Sequence, residues 1–347
     1  MDQGRRNVIC SIALLLLAAP AWSLAQGSGP RLNRVAVILY PSTAPDPIGP
    51  ERKFWAKLFA MHGLVDGRDI EIVIIRADKE NLEKNGSSAF SDAVRQAVAL
   101  RPAAILAHVG SFELKTYFLP AAGGVPLVTW SVDDGTADSL EALHRRGENV
   151  TGVMYSFIEL VTMRFGLMKE LKPGARRAAI LIPQLQQRSL TEKEKAIKRQ
   201  QVATWESILR KLGLEFIPLE LPRDSSADAV VAALRKARID LVEVMWSWDA
   251  QGRLQEGLWE PLAKSGILAS GVGPERAKAG ALLGGWTSGF VESVVRLAAK
   301  FVRGARAADL PVERAREFRL AINLRTAKTL GITVPASVLL RADEVFE

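Results

Sequence analysis

The chain predicts an α/β protein of two Rossmann-like lobes, each with a parallel sheet covered by helices on both faces. Short, continuous apolar runs alternate with amphipathic helical segments along its length, which is the pattern of strands buried on both sides. The 347 residues exceed what one hydrophobic core usually organises. The strand–helix series also starts afresh near residue 157, so the same architecture is expected twice.

Taken in order, Arg5 and Arg6 precede an apolar run over residues 8–19, and Ser23-Leu24-Ala25 places small residues where a signal peptidase needs them. A signal peptide over residues 1–25 and a mature start at Gln26 are expected. The run is shorter than the roughly 20 apolar residues of a membrane span, and Pro20 interrupts it. Cys10 lies before most of the run, where no lipid anchor would attach, and the residues after the arginine pair, Asn7-Val8-Ile9, fit twin-arginine export poorly. As Cys10 is the only cysteine, the mature chain is expected to have no disulfide and no thiolate-bound metal.

The first strand is expected at residues 35–40. Pro41, Pro45, Pro47 and Pro50 keep the chain non-helical until Glu51, where a helix begins with Phe54, Trp55, Leu58, Phe59 and His62 on one face. Strands follow at residues 70–75, 104–107 and 127–130, with helices near 91–100 and 113–118. The polar stretch 147–152, flanked by Gly147 and Gly152, reads from its residues equally as a passage between lobes or a surface loop. The second series has a helix at 157–171, a strand at 178–182, and a helix at 191–212 that turns Trp205, Ile208, Leu209 and Leu212 inward. Strands near 215–219, 241–244, 268–269 and 281–283 alternate with helices at 227–236 and 253–264. The amphipathic segment 290–302 and the apolar strand 318–322, after the turn at Pro311, complete the chain.

The C-terminal residues carry the most specific pattern. Leu310-Pro311-Val312-Glu313 leads into the last apolar strand, residues 322–335 read Ile-Asn-Leu-Arg-Thr-Ala-Lys-Thr-Leu-Gly-Ile-Thr-Val-Pro, and residues 341–345 read Arg-Ala-Asp-Glu-Val. This resembles the C-terminal signature of a bacterial family of ABC-transporter substrate-binding proteins, with Arg325 where that family usually has Lys. Residues 147–153 resemble the Gly-Asn-Val-Thr-Gly of the same family. The resemblance implies a type I periplasmic-binding-protein clamshell with three interlobe crossings, near 149–152, 284–287 and 309–318. Lobe 1 would hold residues 26–149 plus about 286–314, and lobe 2 residues 150–285 plus about 315–347. It further implies a monomer in the periplasm that captures a small molecule for ABC importer permease subunits, with no cofactor. Some relatives are associated with aromatic amino acids, although Trp246, Trp248, Trp286 and the lengthened 184–198 region depart from the family pattern.

Ligands of open α/β sheets bind beyond the carboxyl ends of the strands, so the residues there are the candidates. They are Ser42 and Thr43; Gly110 and Ser111; Trp130, Ser131, Asp133 and Asp134; Gln184; Trp246, Trp248 and Asp249; residues 271–274; and Trp286 and Ser288. Four of the eight tryptophans fall at these ends. Tryptophan faces attract flat or cationic ligands, and a helix start at Ser111 suits a carboxylate or phosphate. Asp133, Asp134 or Asp249 suits an ammonium group. The set fits a zwitterionic, aromatic small molecule. The plain alternatives are tryptophans in the core and aspartates that cap helices or face water.

Other chemistries find no motif. Gly285-Trp286-Thr287-Ser288-Gly289 places its serine one position too late for a nucleophile elbow. His62, His108 and His144 lack metal-ligand spacing, and Gly123-Gly124 and Gly284-Gly285 lead into no phosphate-binding loop. The net charge is +8, or +7 once residues 1–25 take away two arginines and one aspartate. It is scattered among acidic groups and forms no nucleic-acid patch. No DNA-reading head fits between Gln26 and Val35. A periplasmic ligand-sensing subunit for a membrane receptor kinase is the alternative reading, since it needs the same clamshell; a periplasmic hydrolase comes third.

Overall fold

The structure, a computed structural model, describes residues 32–40, 49–110, 113–132, 139–181, 192–219, 221–222, 225–244, 253–315 and 317–347. Strands β1 (Asn33–Leu39), β2 (Ile70–Arg76), β3 (Ala104–His108), β4 (Leu127–Val132) and β5 (Val150–Tyr155) form one sheet. Strands β6 (Arg177–Leu181), β7 (Glu215–Phe216), β8 (Leu241–Val244), β9 (Leu268–Val272) and β10 (Leu283–Thr287) begin a second. β11 (Glu313–Arg314) returns to the first sheet, and β12 (Phe318–Asn323) and β13 (Glu344–Phe346) complete the second. The orders are β11-β5-β4-β3-β1-β2 and β13-β12-β10-β9-β8-β6-β7. All pairings are parallel except β10 with β12, which is antiparallel.

Alternation along each strand sends side chains into two cores per sheet. In the first sheet, Val35, Val37, Leu106 and Val128 meet Trp55, Leu58 and Phe59 of the Gly49–Ala60 helix and Val294, Val295 and Ala298 of the Phe290–Val302 helix. Ala36, Ile38 and Ile105 face Phe90, Val94 and Ala97 of the Phe90–Ala99 helix on the other side. The second sheet is covered likewise, by Phe165, Trp205 and Leu209 on one face and by Val230, Leu258 and Trp259 on the other. The protein is therefore two three-layer lobes, and the Phe290–Val302 helix of the first follows the strands of the second.

Two of the three crossings differ in place from the expectation. Residues 150–155 do not leave the first lobe: they form β5, paired with β4 and β11, so the first passage comes after Tyr155. The reason is Gly152, at φ +152°, whose missing side chain lets β5 press against β4; a Cβ there would lie 1.8 Å from the Thr129 carbonyl oxygen. The second passage follows Thr287, because β10 continues to that residue against Phe318 of β12. The third lies between Arg314 and Phe318, inside the expected interval. The boundaries drawn at 149/150 and 285/286 are corrected accordingly.

Smaller differences have local causes. Phe54 does not join Trp55 in the core but is 49% exposed, since adjacent helical residues point about 100° apart. The segment expected as a helix over 113–118 is a π-helical turn, Leu114–Phe118, running into Leu119–Ala122. Helices at Lys79–Asn85 and Leu140–Arg145, absent from the expectation, start from Asp78 and Ser139, whose side chains accept the Asn81 and Ala142 N–H groups.

The C-terminal signature is a structural device. Asn323 accepts the Thr326 N–H at 2.9 Å and donates to the Ala277 carbonyl at 2.7 Å. The Thr326 hydroxyl donates to Gly280 at 2.9 Å, and Asp343 takes Arg319 at 2.6 Å and the Leu320 N–H at 2.8 Å. These residues lock β12 and β13 onto the second sheet.

Candidate functional site

The carboxyl ends of β1, β3, β4 and β5 bring aromatic residues together along one edge. His108 and Trp130 are register partners on β3 and β4 and stack with centroids 5.7 Å apart at 17°. Tyr155, at the end of β5, also stacks with His108, at 6.2 Å and 20°, with its hydroxyl 3.0 Å from His108 Nε2. Trp55 lies 5.7 Å behind Trp130, and Phe290 lies 5.9 Å from Tyr155. Strand alternation puts His108, Trp130 and Tyr155 on the same sheet face, the one that Trp55 and Phe290 cover. Trp130 is 9% exposed, whereas His108 and Tyr155 are partly exposed. Trp130 therefore backs the edge, and His108 and Tyr155 present it.

On the opposite face of the same edge, Tyr40 follows β1 with half its surface exposed and meets Phe90 edge to face at 5.0 Å. Glu113 lies at the start of the π-helical turn: its Oε1 accepts from the Ser87 hydroxyl at 3.3 Å, and its Oε2 lies 2.5 Å from where a Cβ on Gly110 would be. Surrounding protein, then the Glu113 charge, raise the Tyr40 phenol above its ordinary value even though the residue is half exposed. Burial likewise raises the Tyr155 phenol, with Arg164 opposing.

Burial between the rings lowers His108 to about 4. Because the folded value lies below the unfolded one, the unfolded chain binds the proton first, and stability falls as pH drops from about 6.5 towards 4. Urea unfolding at pH 7.5 and 4.5 is expected to show about 2–3 kcal/mol of pH-dependent loss that His108→Gln removes. An identical pH dependence in the variant would show that His108 is not buried neutral.

In the second lobe the polar feature beneath the strand ends is fully buried. Arg164, from the Phe157–Leu171 helix, places Nη2 2.9 Å from Glu243 Oε1 on β8 and donates from Nη1 to the Gly285 carbonyl of β10 at 2.8 Å. The Ser270 hydroxyl on β9 donates to Glu243 Oε2. Gly285 makes room for this, since a Cβ there would meet the Arg164 side chain at 2.9 Å.

Of the sequence candidates, Gly110, Trp130, Ser131, residues 271–274, Trp286 and Ser288 fall within the described residues. Ser42, Thr43, Ser111, Asp133, Asp134, Gln184, Trp246, Trp248 and Asp249 lie outside them. Ser131 is buried, and its hydroxyl has no hydrogen-bond partner among the described residues. Trp286 is partly exposed on β10, with its side chain alternating to the face opposite the one on which Gly285 meets Arg164. Ser288 belongs to the crossings: its hydroxyl is 3.0 Å from Glu317 Oε2, and its N–H donates to the Glu317 carbonyl at 3.1 Å. Sequence reading missed Tyr40, His108, Glu113 and Tyr155. Tyr40 and His108 directly end or follow strands expected from the sequence, whereas Tyr155 ends a strand, β5, that begins where a crossing near 149–152 is expected. Among the described residues no group of three or more His, Cys, Asp or Glu side chains is placed to hold a metal ion, and no helix is long and apolar enough to cross a membrane.

No family model and no curated protein matches the sequence. Solved structures match the fold. A conserved domain protein from Vibrio cholerae is 19% identical with a TM-score of 0.67, covering 90% of this chain and 99% of that one. An ABC domain from Streptococcus pneumoniae in complex with L-Trp is 19% identical, with a TM-score of 0.66 and coverage of 91% and 100%. An ABC transporter periplasmic solute-binding protein from Actinobacillus succinogenes with bound D-allose is 13% identical, with a TM-score of 0.53 and coverage of 85% and 99%. The fold is that of type I periplasmic binding proteins.

Proposed function

We propose that this chain, carrying a type I periplasmic-binding-protein fold, is the solute-binding component of an ABC importer. It would be exported to the periplasm and would hold a small molecule between its lobes. The observation that carries the reading is the row of aromatic side chains at the carboxyl edge of the first sheet, where open α/β sheets take their ligands. Stacked His108 and Tyr155 offer flat, polarizable surface with polar tips, which suits an aromatic or zwitterionic ligand, an amino acid among them. Two proteins of this fold bind L-Trp and D-allose, so the same architecture serves either class. The signature matched by residues 310–345 supports the importer role, and the leader at residues 1–25 supports export.

Closure would shift a population of open and closed forms by the ligand's differential affinity. The protein recovered from a periplasmic fraction and screened by thermal shift against amino acids, aromatic acids, purines and sugars is expected to be stabilised by one class. At 100 times the dissociation constant the gain is about 2.7 kcal/mol. Tyr155→Ala is expected to weaken that binding by about 1–3 kcal/mol. Cytoplasmic retention at full length, or a ligand whose affinity ignores Tyr155, would remove the support for this site.

A further inference from the structure

This inference goes beyond the solute-binding reading and concerns the end of the second lobe opposite the carboxyl edge of its sheet. The cations there are scattered along the chain, and the fold gathers them. Arg176 directly precedes β6, Lys211 ends the Glu192–Lys211 helix before β7, and Arg235 and Arg238 stand before β8. β8, β6 and β7 are neighbours in the sheet, so the three strand starts lie within about 10 Å of one another. β12 runs against β10 and ends at Asn323 beside Leu282, which brings Arg325 and Lys328 of the Leu324–Thr329 helix to the same amino edge. From β7 to β12 that edge extends for about 24 Å.

All six residues are exposed, and among the described residues none of their side chains has an ion pair or hydrogen bond. Acids near the first three strand starts are already paired: Glu206 with Arg210, Glu215 with Arg177 and Asp240 with Lys172. Glu347, after β13, is an acidic exception. Lys211, Arg235 and Lys328 lie in last helical turns, where the helix dipole favours a cation. Arg176, Arg238 and Arg325 have no such reason: Arg176 lies outside any helix, Arg238 lies past its helix at φ 53°, and Arg325 occupies a first turn, where the dipole disfavours it. The exposed acids Glu159, Asp228 and Glu275 sit in first turns at the opposite, carboxyl edge. The lobe is therefore electrically polar, basic at one end and acidic at the other.

We propose that the amino edge of the second sheet docks on an anionic phospholipid membrane. The cations stand on long stems along an edge rather than around a pocket, and a plane of headgroups meets them together. Repulsion of the acidic end fixes the orientation and leaves the carboxyl edge, where a solute binds, open to water.

Co-sedimentation with vesicles tests this. The protein from a periplasmic fraction is expected to bind phosphatidylcholine vesicles with about 30% phosphatidylglycerol at least about tenfold more tightly than phosphatidylcholine alone at about 50 mM salt, and to be released at about 500 mM. Arg176→Gln, Arg238→Gln and Arg325→Gln together are expected to weaken that binding at least about tenfold, with a Tm within about 2 °C of the parent. The same three positions changed to Lys are expected to keep it, since a bilayer reads charge rather than the guanidinium fork. Lys53→Gln, Lys57→Gln and Lys84→Gln, at exposed positions of the first lobe, remove the same charge and are expected to leave binding unchanged. Equal binding to both kinds of vesicle, no binding to either, or a first-lobe triple variant that loses as much as the second-lobe one overturns the inference. Capture by soluble polyglutamate without capture by vesicles overturns it too, and assigns the edge to an acidic protein. Each of these outcomes is independent of the solute screen.

Discussion

Gly152→Ala is expected to destabilise the protein by about 4 kcal/mol or more, or to prevent its folding. The alanine Cβ would sit 1.8 Å from the Thr129 carbonyl oxygen and 2.8 Å from its N, both backbone atoms that cannot swing aside. The residue also has φ +152°, a conformation that side chains other than glycine rarely adopt. Relief requires β5 to separate from β4, which would strip Val150, Val153 and Met154 from the cores on both faces. It would also disturb Thr151, whose hydroxyl donates to the Pro311 carbonyl at 2.8 Å and so ties β5 to the turn that leads into β11. Gly147→Ala is the control: φ there is +85°, but nothing lies within 4 Å of its Cβ position, so the cost is about 1–2 kcal/mol of backbone strain. Urea unfolding of both variants checks the pair. Equal stabilities would mean that β4 and β5 do not approach this closely.

Arg164→Met is the other large effect, with an expected loss of about 3–5 kcal/mol. The guanidinium and the Glu243 carboxylate are both fully buried, so removing one leaves an uncompensated charge in the second lobe. The expectation has a sharper form in the double variant. Arg164→Met with Glu243→Met removes both charges and is expected to recover more than half of the loss, because burying the pair was itself costly. A residual deficit of about 1–2 kcal/mol should remain from the Gly285 carbonyl, which loses its donor. If the double variant unfolds as readily as Arg164→Met alone, the pair is not what stabilises this region.

The two experiments show where the residue pattern was informative. The helices at Phe157–Leu171, Ala227–Lys236 and Arg253–Lys264 and the strand Leu241–Val244 were legible to the residue, because their apolar period and flanking residues are local. The C-terminal signature was legible as a family resemblance, and the structure accounts for its residues as caps and ties: Asn323, Thr326 and Asp343 hold the second sheet together. They carry no ligand chemistry, which is why the pattern that pointed to a transport role said nothing about the solute. At the candidate site, the strand ends were placed well enough to draw attention to Trp130. Glu113 passed unnoticed because its place at that edge depends on folding back over Gly110.

What the sequence by itself determined is the α/β class, the doubling into two lobes and most element positions, since periodic burial and capping act over a few residues. Tertiary structure decided which sheet each strand joins and which side chains share an edge. Gly152 reads as part of a passage or a surface loop until β4 lies against it, and nothing local in the 157–171 helix marks Arg164, whose guanidinium donates to the carbonyl of Gly285, 121 residues later. Such pairings depend on contacts between segments far apart in the chain, whose energies appear only when both are in place, and no local pattern records them.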